Sequence, residues 1–173
     1  MRFAIVWLWL ITAAPLGALA QQAQAAPQGM TVERLALILT SVAEDVRREG
    51  NVFDVLLEGR RLQVITDPAA DRMRILVAIT PAADLSAALL ERLLQANFDT
   101  ALDARYAIAR GIVWSTFIHP LSPLTDDQLF SGLAQTLIAA ETYGSTFTSG
   151  ALSFGGGDSV DLLQDLKKRW ESL

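Results

Sequence analysis

The apolar residues of this chain change from a helical period to an extended one and back, and this order limits the possible folds more than any other feature. Steps of three and four residues predict a first helix, whose apolar face is formed by Leu35, Ile38, Leu39, Val42 and Val46. Thr31 is a suitable N-cap for this helix, and Gly50 is a suitable stop. The ordered chain is therefore expected to begin with an amphipathic helix.

Three short extended segments follow the first helix. Residues 52–57, 62–66 and 73–79 are rich in apolar side chains, and turn signals at residues 58–60 and 67–68 separate them. Apolar and polar residues alternate in the third segment, which is typical of a sheet covered on one side. We expect an antiparallel meander.

The second half of the chain repeats this change of period. The pattern predicts a leucine-rich helix at residues 85–97, strands at 104–109 and 112–118, and a helix opened by the capping box of Thr125 and Gln128. The order is then α-βββ-α-ββ-α, with a further helix at the C-terminus. A five-stranded antiparallel sheet with its helices on one face buries these elements most economically, so we predict an α+β fold.

The N-terminus has the features of a secretory signal peptide. Arg2 supplies a positive charge, residues 3–11 form an unbroken apolar core, and residues 18–20 form an Ala-x-Ala cleavage site. The apolar stretch is shorter than the roughly 20 residues that a membrane-spanning helix needs. We therefore expect cleavage after Ala20, a periplasmic or secreted protein, and no stable membrane insertion after cleavage. An uncleaved anchor is the alternative.

The composition divides the chain and excludes several functions. After the leader (1–20), we expect a disordered Gln/Ala/Pro-rich spacer (21–30), the α+β domain (31–144), and a Gly/Ser-rich segment with the C-terminal helix (145–173). The formal net charge of -5 argues against a nucleic-acid partner. The absence of cysteine excludes disulfides, thiol nucleophiles and Cys-ligated metals, and we expect neither a metal site nor a cofactor.

The domain resembles the YbjN-like family and the type III secretion chaperone-like fold that this family shares. The resemblance covers roughly residues 31–144 and rests on the element order and on Leu85-Ser86, Leu93-Leu94-Gln95-Ala96-Asn97-Phe98, Arg105-Tyr106, Gly111, Trp114 and the helix from Leu124. It implies a small homodimer that holds another polypeptide along exposed sheet and helix surfaces, without catalysis or cofactor. The expected function is thus that of an exported, non-enzymatic protein-binding domain, chaperone-like or regulatory, with a protein partner.

Two sets of apolar residues are candidates for partner binding. Trp114 and Phe117 lie on opposite faces of the strand at 112–118, and an open face would present one of them as an aromatic anchor, although aromatic residues on a sheet are more often core. Leu163, Leu166 and Trp170 form the stripe of the terminal helix. So short a helix needs a surface to pack on, which its own chain, a second copy or a partner's groove would supply.

Two alternatives assign the domain to other classes of protein. A small-molecule or lipid carrier would use its many Leu, Ile and Phe residues to line a cavity between the sheet and the helix from Leu124. A hydrolase would need His119, the chain's one histidine, with Ser115 or Ser131 and with Asp103 as orienting carboxylate. The Gly-x-Ser-x-Gly motif of many hydrolases is absent, which makes the hydrolase the more remote alternative.

Overall fold

The computed structural model describes residues 29–147 and 160–172. The predicted leader (1–20), most of the spacer (21–30), and residues 148–159 of the Gly/Ser-rich segment lie outside the described residues. The elements, in chain order, are α1 (Val32–Val42), β1 (Asp45–Glu49), β2 (Val52–Leu57), β3 (Arg60–Asp67), β4 (Arg72–Pro81), a 3₁₀ turn (Ala82–Asp84), α2 (Ala87–Asp99), β5 (Arg105–Ala109), β6 (Ile112–His119), α3 (Asp126–Glu141) and α4 (Val160–Glu171).

The described strands form one antiparallel sheet in the order β1-β2-β3-β4-β6-β5. The α+β class and the meander of β2, β3 and β4 are confirmed. The predicted number of five strands is wrong, because β1 adds a sixth at one edge. The other edge strand is β5, which pairs only with β6 in the described sheet.

The extra strand comes from the C-terminal part of the predicted first helix. The helix ends at Val42, and the backbone N–H of Glu44 donates to the Leu56 carbonyl at 2.9 Å instead of to a helical carbonyl. Val46 then pairs with Val55 in the sheet. Gly50 is not a helix stop but the first residue of a two-residue hairpin loop, with a φ of 59° that glycine adopts without strain.

The core lies between one face of the sheet and the helices. On β4 and β6, every second residue points into this core, as the alternation in the sequence predicts. The inward residues of these two strands are Met73, Ile75, Val77, Val113, Ser115 and Phe117. The opposite face of the sheet, called the open face below, carries no helix among the described residues.

Helix α3 packs directly on the sheet. Its predicted capping box is present, since Thr125 Oγ1 accepts from the Gln128 N–H at 3.2 Å and Gln128 Oε1 accepts from the Thr125 N–H at 2.9 Å. A Cβ placed on Gly132 would lie 2.8 Å from the ring of Phe117, so only glycine allows this close approach. The helix and the sheet are therefore in direct contact at this point.

Helix α4 lies against α1 and α3 of the same chain. Leu166 is fully buried there, and Lys167 Nζ is 2.8 Å from Asp127 Oδ1. Arg169 donates to the Val42 carbonyl at 3.0 Å and to Glu58 Oε1 at 2.7 Å. These bonds satisfy a carbonyl at the C-terminal end of α1 and tie the helix to the β2–β3 turn.

Candidate protein-binding surfaces

Exposed apolar side chains concentrate at the edge of the sheet where α2 meets β5. Four of the six large apolar side chains that the described structure exposes lie there. We call them the α2–β5 surface: Leu90, Leu94, Phe98 and Ile108. Leu90, Leu94 and Phe98 follow each other at steps of four and so form one stripe along the helix. Exposed apolar side chains that lie side by side often mark a surface that contacts another molecule.

The local sequence explains why this stripe stays outside. Ser86 caps α2 by accepting from the Leu89 N–H at 3.1 Å, and Leu93 and Ala96 turn inward. They join a second, smaller core with Tyr106, Val113, Ala139 and Phe147. Helical spacing places Leu90, Leu93 and Leu94 on one leucine-rich face of α2, and of these only Leu93 is buried. The reason is that α2 sits at the sheet edge and can bury only part of this face.

Asn97 fixes α2 to the edge of the sheet. Its Oδ1 accepts from the backbone N–H of Tyr106 at 2.7 Å, and its Nδ2 donates to the Tyr106 carbonyl at 2.9 Å. The side-chain amide thus takes the place that a neighbouring strand would occupy. Tyr106 is held from the other side as well, since its hydroxyl donates to the Ala139 carbonyl at 2.7 Å. Burial raises the pKa of the Tyr106 phenol above its usual value.

The next outward position of β5 has no such cover from the residues that the structure describes. Because backbone groups of a strand point alternately to its two sides, the N–H and C=O of Ile108 point away from β6, as those of Tyr106 do. A shallow cavity of about 240 Å³ lies beside them, lined by Leu90, Leu93, Leu94, Asn97, Tyr106, Ala107 and Ile108. The α2–β5 surface therefore combines apolar side chains with a short stretch of strand edge.

The two aromatic candidates lie on opposite faces of β6, as the alternation predicts. Trp114 is half-buried on the open face, where its indole Nε1–H donates to the Ala109 carbonyl at 3.0 Å. Phe117 is only 4% exposed and lies in the core, stacked on the ring of His119 at a centroid distance of 5.9 Å. Trp114 is thus the aromatic residue of this pair that a partner can reach.

The three candidates of the terminal helix face their own chain. Leu166 is buried in the main core, and the half-buried Leu163 and Trp170 pack against that core. The structure therefore places this stripe in an intramolecular contact. The sequence had left three surfaces open for it: its own chain, a second copy or a partner's groove.

Asp103, His119 and Ser131 line one cavity of about 310 Å³, at the end of β6. Ser131 Oγ accepts from Gln135 Nε2 at 2.9 Å, and Asp103 Oδ2 lies 3.3 Å from the same nitrogen. Nδ1 of His119 is 2.7 Å from the Pro120 carbonyl. The serine and the carboxylate are therefore oriented by an amide, and neither bonds the imidazole, so the three side chains do not form a proton relay.

Ser115, the other candidate nucleophile, is fully buried, and its Oγ bonds to no described residue. Within residues 29–147 and 160–172, no cluster of three or more His, Asp or Glu side chains has the arrangement of a metal site. The same ranges contain no helix with the length and apolar composition that crossing a membrane requires.

Comparison with known proteins identifies the class of the fold. One chain of a solved structure, "Structure of the HopA1-SchA Chaperone-Effector Complex", is similar with a TM-score of 0.50 and 14% sequence identity. The match covers 63% of the present chain and 91% of that chain. No family model and no curated protein matches. The domain therefore has a chaperone-like α+β fold, which agrees with the fold implied by the sequence resemblance.

Proposed function

We propose that this chain is an exported, non-enzymatic, homodimeric protein-binding domain of the YbjN-like kind with a chaperone-like role. The observation that carries the proposal is the α2–β5 surface, where Leu90, Leu94, Phe98 and Ile108 face water beside an incompletely covered strand edge. The fold supports it, because the similar chain belongs to a chaperone–effector complex.

The α2–β5 surface suits a second copy of the same chain. A stripe along a helix is self-complementary when two copies meet about a twofold axis, so each apolar residue finds apolar neighbours on the partner. Each large apolar side chain that moves from water into such an interface contributes about 1.5–3 kcal/mol before the cost of association. Ile108 can extend the contact, since its outward backbone groups have no partner in the described part of the chain and can pair with those of the second strand.

Export is the second part of the proposal. The leader of residues 1–20 supports it. Mass spectrometry of the protein from the periplasm should give a chain that begins at Gln21. A chain with an intact leader in that fraction would show that the leader is retained as an anchor.

The absence of catalysis is the third part. Its support is the geometry around His119, where Gln135 and not the imidazole bonds Ser131 and Asp103. Substituting His119→Ala should leave partner binding and the oligomeric state unchanged. Loss of an ester or peptide hydrolysis activity in this variant, with the fold intact, would contradict the proposal.

Light scattering on the mature chain from Gln21 tests the dimer. We expect the mass of two chains for the wild type and of one chain for Leu94→Asp. Leu37→Asp is the matched control, because Leu37 on α1 is 61% exposed and Leu94 is 63% exposed, and both lie on helices. Circular dichroism should show that both variants remain folded. A monomeric wild type at high concentration, or the same mass for both variants, would contradict the proposal.

A further inference from the structure

The open face of the sheet has two halves with different charges. Strands β1, β2 and β3 carry both signs, with acidic residues at positions 45, 49, 54 and 67. Strands β4, β5 and β6 contain no Asp or Glu at all, yet they carry arginines at positions 72, 74 and 105. One half of the face is therefore purely cationic in a chain whose net charge is -5.

The arginines of the two halves also differ in their partners. On β1 and β3, the two arginines of the open face are Arg47 and Arg61, and both form ion pairs with Asp45, at 3.4 and 4.0 Å. Arg74 and Arg105 form no ion pair with any residue of the described ranges. Within the described structure, the cationic half thus has charge that its own surface does not balance.

The unpaired arginines surround an exposed apolar side chain. Ile118 on β6 pairs directly with Arg74 on β4, and it is 56% exposed. Arg105 on β5 pairs with Thr116, the outward residue before Ile118, and it lines the same cavity as Ile118. Asp103 lines the same cavity as Arg105 but forms an ion pair with neither arginine, and its Oδ2 lies 3.3 Å from Gln135 Nε2. The two arginines and the exposed apolar side chain therefore lie next to each other on the open face.

Trp114 extends this apolar surface along β6. Its neighbours across the sheet are two alanines, Ala78 on β4 and Ala107 on β5, so small side chains flank the indole. The bond from Nε1 to the Ala109 carbonyl holds the ring in place. A fixed, partly exposed aromatic ring loses little conformational entropy on binding, and such residues often dominate protein interfaces.

We propose that this surface, made of Arg74, Arg105, Trp114 and Ile118, binds an acidic segment of another protein. The segment lies along β6, its apolar side chains contact Trp114 and Ile118, and its carboxylates pair with the two arginines. A long polyanion fits less well, because it would continue over Asp45, Glu49 and Asp54 on the other half of the sheet. The inference rests on the proposed protein-binding function but uses the face opposite to the helices.

Peptide binding to the mature chain tests this inference. The probe is a fluorescein-labelled synthetic peptide in which Glu alternates with Ile and Phe, and the matched probe has Lys in place of Glu. Fluorescence anisotropy should show binding of the Glu peptide only, and this binding should weaken as salt is added, since exposed charges are screened. Equal binding of both peptides, or binding of neither, would overturn the inference.

Matched variants locate the site. Arg74→Gln combined with Arg105→Gln should weaken binding by about three- to tenfold, as expected for the loss of two exposed ion pairs. Arg47→Gln combined with Arg61→Gln removes the same charge from the other half of the open face and should have little effect. Trp114→Ala should weaken binding, and Trp114→Phe should restore part of it. Equal effects of the two double variants would overturn the inference.

Two controls distinguish an acidic protein segment from a lipid surface and from a second copy of the chain. Vesicles of phosphatidylglycerol and phosphatidylcholine test a lipid surface; binding to them that needs Arg74 and Arg105, without peptide binding, would overturn the assignment to a protein segment. Light scattering on the same samples tests the dimer. A dimer that does not bind the peptide refutes this inference alone, whereas a monomeric wild type refutes the proposed dimer whatever the peptide does.

Discussion

The two edges of the sheet are closed by different means. At the β1 edge, Arg47, Arg48 and Glu49 are exposed, and their charges discourage pairing with another strand. Arg48 also lies over the ring of Phe53, 5.1 Å from its centroid. At the β5 edge, α2 and the Asn97 amide cover Tyr106, but the covering helix exposes three large apolar side chains of its own.

This difference shows that covering the backbone groups of an edge strand does not by itself cover the apolar side chains beside it. These are two separate requirements. Charged side chains on β1 accomplish both, because they leave little apolar surface for a second molecule. A helix over β5 accomplishes only the first, since α2 satisfies backbone groups while its outer stripe remains apolar. The β5 side is therefore where we place the contact between two copies, and the β1 side is where the sheet ends.

The largest effect is expected at Tyr106, which connects the β5 edge to the helices. Tyr106→Ala should lower the free energy of unfolding by about 3–5 kcal/mol, because a buried aromatic ring and its contacts with Tyr143 and Phe147 are lost. Val46→Ala, at a half-buried position of the β1 edge, should cost about 1 kcal/mol. Urea unfolding measures both values, and equal costs would show that the two edges are held alike.

An intermediate effect is expected at Asn97. Asn97→Ala removes both bonds to the Tyr106 backbone and should cost about 1–3 kcal/mol, because a donor and an acceptor lose their partners. The N–H of Tyr106 should also exchange its hydrogen faster. Gln95→Ala is the matched control, since Gln95 is an amide on the same helix that bonds only Glu91 in the described structure. Unchanged exchange at Tyr106 would mean that Asn97 does not protect this edge.

The smallest effect is expected on β1. Arg47→Ala breaks an ion pair with Asp45 whose side chains are largely exposed, so the free energy of unfolding should change by less than about 1 kcal/mol. The mass in solution should not change either. Arg47→Lys, which keeps the charge, should match the wild type in both measurements. A change of mass in Arg47→Ala would contradict our account, because it would indicate that two copies meet at the β1 edge.

The sequence predicted the parts of the fold that local patterns determine. The alternation on β4 and β6 and the capping box of Thr125 and Gln128 are both confirmed. Each of these signals depends on residues that are close in the chain. These local patterns could therefore be interpreted correctly without the tertiary structure.

The missed features depend on position within the sheet. Strand β1 has one apolar residue, Val46, which also fits the helical period after Val42, so an edge strand with charged neighbours resembles the end of a helix. On α2, sequence spacing cannot decide whether Leu90 and Leu94 face the core, because this depends on α2 lying at the sheet edge. Alternation along the strand assigns Trp114 and Phe117 to opposite faces but does not say which face is open, so the sequence left both as candidates.

Cysteine cross-linking tests most directly which edge joins two copies. The chain contains no cysteine, so a single introduced thiol reports only its own position. Leu94→Cys on the α2–β5 surface and Arg47→Cys on the β1 edge would each be treated with a short bismaleimide, and the products separated by denaturing electrophoresis. Our account predicts a covalent dimer for Leu94→Cys and none for Arg47→Cys. A covalent dimer for Arg47→Cys alone, or none for either variant, would contradict it.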